Sequence, residues 1–141
     1  MKKLPRKLLR LDLSATFVGF ACCAALGSGC GGPTKYDRAM AAVQANMATP
    51  EGVAHDEAFG IALDWSLPPL IDSCHSEYYG PLPPSFSILL KLDAAGAPRD
   101  STIWPDFPLS QCIRDGLVVE KYPKPPAAGY WAQVESQVVA R

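Results

Sequence analysis

Hydrophobic positions along the chain keep a helical period as far as Tyr78 and then change to the period of a strand. Between Thr34 and Met47 they fall at Tyr36, Met40, Val43 and Met47, spacings of four, three and four that mark one face of a helix. Thr34-Lys-Tyr-Asp37 has the Ser/Thr-x-x-acid form of a helix start. Thr49-Pro50 ends that helix and opens a second, with Pro50 suited to a first helical turn. The second stripe is Ala54, Ala58, Ile61 and Trp65, and Ser66-Leu-Pro-Pro69 predicts its end. Leu70 to about Tyr78 then reads as a short third helix showing Ile71, Cys74 and Tyr78. Stripes at helical spacing are expected to be core.

After Gly80-Pro-Leu-Pro-Pro84 the period becomes two. Phe86, Ile88, Leu90 and Leu92 alternate from Ser85 to Asp93, which predicts a half-buried strand. Ala94 to Ala97 is a turn, with Gly96 available for positive φ. Arg99 to Trp104 returns as the second strand of a hairpin. Asp106-Phe-Pro108 opens a helix with Leu109, Cys112, Ile113 and Leu117 on its apolar face, and Tyr122-Pro-Lys-Pro-Pro126 closes that region. A last strand runs from Tyr130 to about Val139, alternating Tyr130, Ala132, Val134 and Val138. The predicted class is α+β. A small three-stranded antiparallel sheet packed with two helices occupies 67–141, preceded by two extra helices over 35–66.

Charge changes the picture at the N-terminus. The 141 residues sum to −1, yet Lys2, Lys3, Arg6, Lys7 and Arg10 all precede an uncharged run from Leu13 to Leu26. Fourteen residues fall short of the roughly 20 that a membrane-spanning helix needs, and the run is apolar or small all the way round. It predicts a secretory signal over 1–29. From Cys30 onward there are eight basic and thirteen acidic residues, a net charge of −5 over 112 residues. Such an acidic body argues against nucleic acid or an anionic membrane surface as its main partner. The junction Leu26-Gly-Ser-Gly-Cys30-Gly-Gly-Pro resembles the lipobox of bacterial lipoproteins. That resemblance implies fatty acylation (palmitate) of Cys30 and a short tether over 30–34. It also implies a periplasmic location on a lipid anchor, the outer membrane favoured because Gly31 and not Asp follows the cysteine. The alternative is ordinary cleavage between Gly29 and Cys30, which leaves a thiol.

Of five cysteines, Cys22 and Cys23 leave with the signal and Cys30 is assigned to lipid. Cys74 and Cys112 remain, each on the apolar face of its own helix, and in an oxidising compartment they most simply pair. Two buried thiols are the alternative. Leu70-Ile-Asp-Ser-Cys74, Ile88-Leu-Leu-Lys-Leu-Asp-Ala-Ala-Gly96, Gln111-Cys-Ile113 and Lys121-Tyr-Pro-Lys-Pro125 occur in the order helix, hairpin, helix, entry to a final strand. Over about 67–138 this resembles the TonB C-terminal domain, especially its two-cysteine periplasmic variants. The resemblance implies a binding module whose sheet edge accepts a partner strand. TonB's membrane anchor and long Pro-rich spacer have no counterpart in this sequence, nor do residues 35–65 in that domain. Energy transduction is therefore not carried over.

Chemistry narrows little further. His55, Asp56 and Glu57 are consecutive, diverge on a helix and are expected on a solvated face. Cys74 and His75 would lie about 100° apart on a helix, which does not make a nucleophile pair. With two histidines, no Cys-x-x-Cys and no Gly-x-Ser-x-Gly, no catalytic residue, metal site or cofactor is nominated. The stiff loop and its neighbouring aromatics supply the candidate partner-binding residues Tyr122, Pro123, Pro125, Tyr130 and Trp131. Core and strand-edge packing is the plainer reading of the same aromatics. The expected function is a non-catalytic interaction module of the envelope, not an enzyme. Its contact would be with an envelope or periplasmic protein, through the last strand or the Tyr122–Pro126 loop. Two alternatives stand beside it. One is a ligand-binding protein or enzyme with a pocket between the N-terminal helices and the sheet, marked by His55, Asp64 and Asp72. The other is a structural envelope protein.

Overall fold

The computed structural model describes residues 32–78, 80 and 85–137. The expected signal over 1–29 and the expected acylation at Cys30 lie outside the described residues. The elements are α1 (Lys35–Met47), α2 (Pro50–Glu77), β1 (Ser85–Leu92), β2 (Pro98–Trp104), α3 (Pro108–Leu117) and β3 (Tyr130–Gln137). The strands form one antiparallel sheet in the order β2-β1-β3. The α+β class is thus as predicted, and the hairpin and final strand fall where the alternation put them. Beyond Gln137, the expected end of the last strand lies outside the described residues.

Register explains the main core. Ile88 faces Ile103 on one side and Val134 on the other, and Leu90 faces Ala132. With Phe86 and Leu92 they pack against Phe59 and Leu63 of α2 and against Leu109, Ile113 and Leu117 of α3. α2 and α3 approach closely at Gly116, where a Cβ would meet Leu70 Cδ1 at 2.3 Å. The Cys74–Cys112 disulfide joins the same two helices, with a Cα–Cα distance of 5.8 Å.

The opposite face of the sheet carries α1, so β1 is buried on both faces and not half-buried. Leu89 is fully buried between Ala39 and Val43, with Tyr36, Met40 and Trp131 around them. α1 begins with the predicted capping box: Asp37 N–H donates to Thr34 Oγ1, and Thr34 N–H donates to Asp37 Oδ2 at 2.8 Å. It runs across the strands. Near its start Lys35 Nζ donates to Ser101 O of β2 at 2.9 Å and pairs with Asp100. Near its end Asn46 Nδ2 donates to Trp131 O of β3 at 3.1 Å. A 13-residue helix is about 20 Å long and three strands are about 10 Å wide, so one helix reaches both edges.

Two expectations for the second helical region are corrected. The break at Ser66–Pro69 is absent: α2 continues for 28 residues with Pro68 and Pro69 inside it. Each proline removes one backbone donor, but both lie at exposed positions, where water replaces the missing partner. Beyond them Leu70, Ile71 and Cys74 pack on the core, so tertiary burial and the disulfide hold the helix past its breakers. The buried face also has a different phase. It comprises Gly52, His55, Phe59 and Leu63, not the stripe from Ala54 to Trp65. The two stripes are about 100° apart, and the one carrying Phe59 and Leu63 removes more apolar area from water than one built on two alanines.

Candidate functional site

The N-terminal half of α2 and the loop after α3 form a groove. α2 starts at Thr49, whose Oγ1 accepts from Gly52 N–H at 3.0 Å, with Pro50 in the first turn. Gly52 is needed there, because a Cβ would lie 1.8 Å from Asn46 O at the α1–α2 junction. The loop is fixed from three directions. Tyr122 N–H donates to Gly96 O at 3.0 Å, Tyr122 Oη donates to Leu117 O at 2.9 Å, and Pro123 O lies 3.1 Å from His55 Nε2. Gly96 has φ +84°, and a Cβ on it would meet Tyr122 O at 2.1 Å, so turn and loop close on each other only with glycine.

His55 is the inner wall of this groove, not a solvated residue: it is 6% exposed. Its ring lies 4.6 Å from that of Tyr130 and 6.2 Å from that of Phe59. Because Pro123 O only accepts, Nε2 is the donor and carries the hydrogen. Nδ1 is buried with no hydrogen-bond partner. Asp56 and Glu57 turn away, as consecutive helical residues must. The groove encloses about 440 Å³, with Ala54, Ala58, Pro123, Pro125 and Pro126 as its apolar walls and Glu51 and Lys124 at its rim.

The predicted partner-binding residues divide. Pro123 and Pro125 line the groove. Tyr122 and Tyr130 are core residues, corrected from the surface: Tyr122 packs on Phe59 at 4.8 Å, and Tyr130 Oη donates to Gly52 O at 3.2 Å. Burial raises the pKa of both phenols, with Glu120 adding to the effect at Tyr122 and Asp56 at Tyr130. Trp131 is half-buried on the α1 side of the sheet, 5.9 Å from Lys91 Nζ, and takes no part in the groove. Asp64 and Asp72 are exposed and do not join His55 in its buried position. Cys74 is spent in the disulfide. Among the described residues no group of three His, Cys, Asp or Glu is placed to hold a metal, and no helix is long and apolar enough to cross a membrane.

The groove continues into a surface that helical periodicity marked as core. Along the outer side of α2, Ala54 and half-buried Ala58 are followed by Ile61 at 58% exposure and Trp65 at 84%. From Ala54 to Trp65 this stripe covers about 16 Å of helix. A second exposed aromatic, Trp104, lies on the other side of the molecule, 6.3 Å from Tyr36 at the start of α1. Its pairing had no local signal in the sequence, since the partners are 68 residues apart. Comparison of the chain with protein-family models, with curated proteins and with solved structures finds no match.

Proposed function

We propose that this chain is a non-catalytic interaction module of the cell envelope, held to a membrane by lipid on Cys30, whose work is to bind another envelope protein. The observation that carries the reading is the outer face of α2. Ala54, Ala58, Ile61 and Trp65 have the spacing of a packing seam, yet nothing within the described chain packs over Ile61 and Trp65. A contiguous apolar seam at the surface of a small acidic body is the feature that a partner helix or extended segment covers. The groove beside the proline loop supplies a rigid end to that seam, and Glu51 and Lys124 supply a polar rim. The element order from the C-terminal part of α2 through β1, β2, α3 and β3 is the order on which the TonB C-terminal likeness rests.

Of the two contacts the sequence nominates, the loop side is favoured over strand addition. Addition to a sheet edge needs unoccupied backbone groups, whereas Asn46 takes the Trp131 carbonyl on β3 and Lys35 takes the Ser101 carbonyl on β2. The test is site-specific photocrosslinking in intact envelopes, with the reactive residue at Ile61, at Trp65 or at exposed Arg99. One discrete adduct from positions 61 and 65, absent at 99 and lost on Ala58→Glu, is the expected result. The same adducts from all three positions, or none from 61 and 65, would refute the assignment.

A further inference from the structure

We infer that the end of the molecule formed by Tyr36 and Trp104 is a membrane-docking face, seated on the phospholipid surface that holds the anchor. This rests on the acylation of Cys30 proposed above. What turns an anchor into an orientation is the shortness of the link. Arg38 Nη1 donates to Pro33 O, so the tether is pinned at Pro33 to the first turns of α1. Thr34 is already the helix cap. Only Gly31 and Gly32 separate the acylated cysteine from that fixed point, a reach of about 11 Å even when fully extended. An acyl-cysteine sits at the level of the lipid headgroups, so the start of α1 cannot leave that zone.

The surface beside this exit point has the chemistry of an interface. Trp104 closes β2 at 64% exposure, and its ring lies 6.3 Å from that of Tyr36. Together with Thr34 and Asp37 they line a cleft of about 310 Å³. Tryptophan and tyrosine present an apolar body with a polar tip, the combination enriched at the headgroup level of membranes. Charge does not oppose the contact locally: Lys35 and Arg38 stand against Asp37 and Asp100, although the body as a whole is acidic. Such a patch would bind a bilayer weakly by itself. The two-residue link makes the encounter intramolecular, and a weak contact is then populated by effective concentration alone.

The experiment uses the acylated mature protein extracted from its own membrane and placed in vesicles of phosphatidylethanolamine and phosphatidylglycerol, with or without brominated acyl chains. Two single-tryptophan proteins are compared, Trp65→Phe/Trp131→Phe, which keeps Trp104, and Trp104→Phe/Trp131→Phe, which keeps Trp65. Intact mass establishes the acyl group on each. The expected result is quenching of Trp104 by brominated lipid at least twofold stronger than that of Trp65, with a blue-shifted emission. Acylated protein in which Trp104 is quenched no more than Trp65 would overturn the docking face alone. Protein without an acyl group on Cys30 would overturn the anchor and the docking face together. Should a double substitution unfold the chain, nitroxides at Trp104→Cys and Ile61→Cys give the same comparison. Higher oxygen accessibility at 104 supports docking, and equal accessibility overturns it.

Discussion

Replacing both Cys74 and Cys112 by alanine should cost the mature protein about 4 kcal/mol of stability. The bridge closes a loop over a sequence separation of 38. Applied to that loop, the chain-entropy relation gives about 13 cal/mol/K, or about 4 kcal/mol at room temperature, through restriction of the unfolded chain. Trimming the buried Cys74 sulfur adds a packing loss of about 1 kcal/mol at most. Domains of this size are stable by about 5–15 kcal/mol, and 1 kcal/mol moves the midpoint by about 4–8 °C. The expected fall in Tm from the loop restriction alone is therefore roughly 16–32 °C. Urea unfolding followed by tryptophan emission and by circular dichroism measures it, and reducing the unsubstituted protein should reproduce most of the loss. The structure adds a local expectation. Pro68 and Pro69 weaken α2 just before Cys74, so amides over 70–77 should lose exchange protection beyond the global decrease. A stability loss under about 1 kcal/mol, or a 70–77 segment still protected like the sheet, would refute the role given to the bridge.

Gly96→Ala should destabilise the protein by about 3 kcal/mol or more in urea titrations, because the positive φ and the close approach of Tyr122 O both exclude a Cβ; a change below about 1 kcal/mol would contradict the turn–loop contact. Asp93 supplies an acid-sensitive element. The N–H groups of Ala97 and Ala95, with Arg99, hold its carboxyl below the usual carboxylate range. A carboxyl depressed in the folded state contributes stability that is complete above its unfolded pKa of about 4 and is lost as pH falls through its folded value. Asp93→Asn should flatten stability against pH in that acid window and leave the slope above pH 5 unchanged; an unchanged acid limb would show that the turn does not titrate through Asp93.

What the sequence made legible was local. The alternation of Phe86, Ile88, Leu90 and Leu92, the Thr34–Asp37 box and the glycine turn at 96 each carry their information within a few residues, and each formed as expected. The phase of α2 was not legible, because two apolar stripes run along it and only the packing partner selects between them. Phe59 and Leu63 fit over β1 with Tyr122 and Tyr130; Ile61 and Trp65 do not. The prolines at 68 and 69 misled for a related reason. Local rules end a helix there, and contacts made from Leu70 onward, sealed by Cys112 from α3, extend it. His55 looked solvated beside Asp56 and Glu57, yet its Nε2 meets a carbonyl 68 residues away. Tyr122 and Tyr130, which the plainer reading of the sequence placed in the core, pack their rings there on Phe59 and His55, with their hydroxyls satisfied by Leu117 O and Gly52 O.

The two exposed tryptophans follow from one architectural fact, the placement of α1 and α2 on opposite faces of the same sheet. α1 and α2 meet at their junction, where Gly52 lies against Asn46 O, and beyond it they pack on opposite faces of the sheet. If Cys30 is acylated, its link binds the start of α1 to the headgroups, and Trp104 beside it faces the lipid while Trp65 faces away. The same helix takes one backbone carbonyl on each outer strand, Ser101 O through Lys35 and Trp131 O through Asn46. If that anchor holds, α1 would set the membrane side of the molecule, and the α2 seam with its proline-walled groove would be the surface turned toward other proteins. The anchor and the binding face are then not separate properties: moving the link to the α2 side would bury the seam against the bilayer.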